Sequence, residues 1–151
     1  MTHRTPLDVL HEGVAILAAV LRPAGFTSMV GTVDRGSGGA FAQGAFVRNS
    51  RTLSFSMRQT LGLVCCASGG LLVSHEDFMR VVAPCGAAHY PGFSEDPLDG
   101  FRAVSSDLRA YGAAFVTGTA ADCHAVLNAA VHRRPPKGFA AVEFERNRRA
   151  L

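Results

Sequence analysis

From Thr52 to Thr60 the sequence TLSFSMRQT alternates, with Leu53, Phe55 and Met57 on one side of an extended chain and Ser54, Ser56, Arg58 and Thr60 on the other. Successive side chains of a strand point to opposite faces, so such a run belongs in a sheet packed on one side and wet on the other. An antiparallel sheet has that character, whereas parallel strands bury both faces and read as unbroken apolar runs. The flanking segments agree. GFTSMVGTV and AFAQGAFVR are short β-leaning stretches joined by DRGSGG, whose glycines admit the positive backbone angles of a hairpin, and Asn49-Ser50 supplies a second turn. After Leu61 the chain is apolar on both sides, and Gly69-Gly70 then turns it into LLVS. The pattern predicts four antiparallel strands, three if the long run is bent rather than broken.

Helices flank this meander. Leu7, Leu10, Val14, Leu17 and Leu21 recur at steps of three and four, the spacing of one helical face, with Thr5 at the N-cap position, Pro6 first and Pro23 and Gly25 at the end. A helix over Pro6 to Arg22 follows. Downstream, Ser74 with Asp77 three residues on predicts a capped helix that Pro84 stops. Asp96 before Pro97 starts another that runs to Tyr111 with Gly112 as its cap, and Thr119 with Asp122 starts a third. A β-leaning GFAAVEF and a basic tail close the chain, and residues 1–5 and 145–151 are expected to fray. The fold class is α+β: one domain, with an N-terminal helix, a four-stranded meander and three C-terminal helices packed on one face of the sheet.

Composition narrows the setting. At 151 residues with 48% apolar and 18% charged, the chain can bury a full core without covalent staples. Its longest uncharged apolar run, Gly13 to Leu21, is half a membrane span, and Asp8 and Glu12 precede it where a signal peptide carries positive charge. Cys65, Cys66, Cys85 and Cys123 show no paired spacing, and neighbours such as Cys65 and Cys66 face opposite ways in a strand. These features predict a cytoplasmic protein with reduced thiols and no membrane partner. A net charge of +3, the absence of Trp and no aromatic residues interleaved with the arginines speak against nucleic acid.

One stretch, SHEDFMRVVAPCGAAH, holds the residue types of a zinc deaminase, but His75 and Glu76 are adjacent where that chemistry needs one spacer. After Pro84-Cys85 the third position is Ala88, and His89 comes one residue too late. Adjacent helical residues point about 100° apart and do not converge on one metal. The stretch therefore reads as a helix start with His75 at the surface or behind a site, and no metal or cofactor is expected. Arg35 to Gly39 lacks the Lys-Ser/Thr and the following helix of a phosphate loop, no GxSxG occurs, and Cys123 and His124 are helical neighbours that do not face each other. No nucleophile stands out. What remains is a surface: Arg58 shares a strand face with Ser54, Ser56 and Thr60, and Arg48 and Arg51 flank the preceding turn, which predicts basic and hydroxyl groups pointing outward.

The order of LRPAGF, GSGGAFAQGAFVR, RTLSFSMRQTLGLV, SHEDFMR and YPGFSEDPLDGF resembles a group of small uncharacterised bacterial α+β proteins, over roughly Leu7 to Tyr111. More distantly the layout is similar to bacterial toxin-immunity interaction domains. The resemblance implies a fold, and it carries no catalytic residues with it. The sequence thus predicts a non-enzymatic cytoplasmic interaction domain, immunity-type or regulatory, that binds another macromolecule, with a protein the expected partner and a small ligand or a homodimer also open. Arg48, Arg58, His75, His89 and Tyr90 are its candidate binding residues. The alternative is a small enzyme or small-ligand-binding protein with a pocket between the sheet and residues 74–93. Nucleic-acid binding through Arg48, Arg51, Arg58 and the tail ranks last.

Overall fold

The structure, a computed structural model, describes residues 6–34, 40–57, 61–83 and 96–132. The first element is helix α1, Pro6–Leu21, and its buried stripe holds Leu10, Val14, Leu17 and Leu21 as the three-four spacing requires. A single 3-10 turn, Arg22–Ala24, ends on Gly25 at φ 99°, a left-handed conformation that glycine adopts without strain. Thr5, the DRGSGG glycines, GFAAVEF and the basic tail lie outside the described residues.

Five strands follow, not four: β1 Thr27–Asp34, β2 Ala40–Arg48, β3 Arg51–Met57, β4 Leu61–Ser68 and β5 Leu71–Ser74. They pair antiparallel in chain order. The extra strand comes from a break in the long alternating run, where Met57 pairs with Leu61 across the β3–β4 connection. Ser56 to Thr60 holds no Gly, Pro or Asn to mark it, so the period-two pattern runs through the break unpunctuated. The two marked turns fall where expected. Arg48 pairs with Arg51 around Asn49, which takes φ 53°, and Gly69 and Gly70, at φ 57° and 88°, make the two-residue turn between Ser68 and Leu71.

Four helices close the described chain: α2 His75–Val82, α3 Asp99–Tyr111, α4 Ala113–Val116 and α5 Ala120–His132. Ser74 caps α2, its hydroxyl accepting from the Asp77 amide at 3.2 Å. Thr119 and Asp122 form a reciprocal box at the start of α5, with side chain-to-amide distances of 3.1 and 3.2 Å. Helix α3 begins at Asp99, later than Asp96-Pro97 suggests, although Asp96 still accepts from the Leu98 amide at 2.9 Å. The one-turn α4 has no signal of its own in the sequence.

Cross-strand partners share a face. The row Phe46–Leu53–Cys66–Val73 is fully buried and defines the inner face. Helix α1 contacts β1, β2 and α3, and α5 contacts β4, β5 and α2. The α1–α3 approach is close: a Cβ on Gly13 would stand 2.6 Å from the Phe101 ring, which itself meets Phe55 edge-on with centroids 6.0 Å apart. No described helix is long and apolar enough to cross a membrane.

Candidate functional site

Arg48 and Arg51 do not point outward. They belong to the inner row that starts two residues from Phe46 and Leu53, and both guanidiniums meet the end of α4. Arg51, 7% exposed, donates from Nη1 to the Phe115 carbonyl at 2.7 Å and from Nη2 to the Gly118 carbonyl. Arg48 donates to the Val116 carbonyl at 3.0 Å and lies 5.1 Å from the Phe26 ring centroid. The last carbonyls of a helix have no partner within it, and cations are favoured at that negative end. The two arginines are therefore α4's C-terminal cap, supplied from the β2–β3 hairpin, and they tie the sheet to the helices.

His75 is not at the surface either. It is 1% exposed, and its Nε2–H donates to Asp107 Oδ2 at 3.0 Å, which links the first residue of α2 to the middle of α3. Asp107 is 6% exposed, and the contact joins α2 to α3 in the interior. Asp77 accepts from Arg80 at 3.1 Å on the same helix. Of the five candidate binding residues, the structure thus commits Arg48 and His75 to internal contacts, while Arg58, His89 and Tyr90 lie outside the described residues. Among the described residues no group of three His, Cys, Asp or Glu stands close enough to hold a metal ion. Cys65, Cys66 and Cys123 are buried thiols, and burial, with Cys65 and Cys123 nearby, pushes the Cys66 thiol far up.

A further candidate is the outer face of the sheet, which is open at Met29, Gly31, Gln43 and Leu72 and closed at Cys65, 8% exposed. Its cross-strand rows are Thr27–Val47–Thr52–Ala67–Leu72, Met29–Ala45–Ser54–Cys65–Ser74 and Gly31–Gln43–Ser56. None of these positions carries a charge, in a chain with fifteen basic and twelve acidic residues. The wet side of an antiparallel sheet is normally where charge collects, and edge strands in particular use it to discourage association. Two large apolar side chains stand out from this face, Met29 at 62% exposure on the edge strand β1 and Leu72 at 44% on β5. Between Met29 and the centre lies a shallow depression of about 550 Å³, lined by Met29, Gln43, Ala45, Ser54 and Ser56, with Gly31 beside them. It exists because β1 to β3 place glycine, alanine and serine there, and a larger residue at any of these positions would fill it.

The hydroxyl half of this surface was visible in the alternation of β3. Its extension across five strands was not, because it depends on register, which pairs Ser54 with Ala45 and Ala45 with Met29 over more than twenty residues of chain. Comparisons with protein-family models, with curated proteins and with solved structures find no match for this chain.

Proposed function

We propose that the chain is a non-enzymatic, cytoplasmic bacterial interaction domain, of immunity or regulatory type, and that it binds its protein partner through the outer face of β1 to β3. The observation that carries the reading is that the described outer positions of β1 to β3 are uncharged and mostly small, with Met29 exposed at their rim. A centre depleted of charge and an exposed Met at its edge are features of protein interfaces, whereas the Ser and Ala around them are not. Catalysis has no comparable support, since the His75–Asp107 and Arg51 contacts lie in the interior. The resemblance of the layout to immunity domains points the same way.

The test is capture by the tagged full chain from the cells that make it. Wild type is expected to retain a stoichiometric protein, and Ser54→Arg, which plants a charge in the depression, to lose it. Arg109→Glu, an exposed change on α3, serves as the control and is expected to retain it. Equal recovery by wild type and Ser54→Arg would remove the outer face from the account.

A further inference from the structure

We draw no further inference here: the strongest candidate, the shallow depression beside Met29 on the outer face of β1 to β3, belongs to the surface already described, and nothing in the structure shows what covers it.

Discussion

Replacing Arg51 with alanine should destabilise the fold by about 3 kcal/mol. The guanidinium is 7% exposed and gives two hydrogen bonds to backbone carbonyls, Phe115 and Gly118, that no helical amide can satisfy. Hydrogen bonds from a charged donor contribute about 1.5 to 3 kcal/mol each, and carbonyls left buried without a partner add to the loss. Water entering the vacated space recovers part, which brings the figure to the lower end of the sum. For a chain of this size each kcal/mol moves the thermal midpoint by about 2 to 4 °C, so a fall of roughly 6 to 12 °C is expected. Arg51→Lys keeps a charge but can serve only one carbonyl well, and should lose about half as much. Urea denaturation of the three proteins measures the differences. A loss below about 0.5 kcal/mol for Arg51→Ala, the level of a solvated surface residue, would refute the reasoning and return this arginine to the basic outward surface that the sequence suggests.

Three further outcomes follow from named contacts. His75→Ala should cost about 1 to 3 kcal/mol in denaturant, because it removes a buried hydrogen bond to Asp107, whereas Asp107→Asn, which can still accept from Nε2, should cost much less; equal losses would contradict the pairing. Ser74→Ala should cost about 1 kcal/mol with Ser74→Asp near neutral, and a midpoint for Ser74→Asp as low as that of Ser74→Ala would show that the hydroxyl does more than cap. Because burial raises the Cys66 thiol in the folded state, its stabilising contribution is fully present below the unfolded thiol pKa of about 8.5 and is lost as pH rises beyond it, by up to about 1.4 kcal/mol per pH unit. Unfolding curves from pH 7 to 10.5 should therefore be steeper in pH for wild type than for Cys66→Ala, and identical slopes would argue against burial of the thiol.

The elements that the sequence announced are those fixed by local chemistry. Ser74 and the Thr119–Asp122 box need only the next three residues to make their bonds, and Gly69-Gly70 makes its turn from its own backbone freedom. The stripe of α1 was equally plain, since one helical period sets which residues face the core. What stayed hidden depends on distant partners. Arg48 and Arg51 looked like a basic surface because alternation can say which residues share a face but not which face a helix will cover. Their carbonyl partners lie more than sixty residues away on α4, a helix too short to signal itself. His75 stands at a capped helix start, which suggests exposure, and its contact with Asp107 of α3, thirty-two residues on, has no local signal. The break between β3 and β4 carries no sequence signal, because Ser56 to Thr60 keeps the strand period. The outer surface was half legible: Ser54 and Ser56 declared a hydroxyl face, but Ala45, Gly31 and Met29 join it only through register.

The claim that the outer face of β1 to β3 is where this protein meets its partner is tested most directly by oxidative footprinting of the methionines, on the dilute chain and on its associated form. Met29, 62% exposed, should oxidise readily in the dilute chain, while Met57 and Met79, at 2% and 0%, stay protected as internal standards. On association the account predicts that Met29 oxidation slows at least tenfold with the two standards unchanged. Met29 oxidised at the same rate in both states would contradict it.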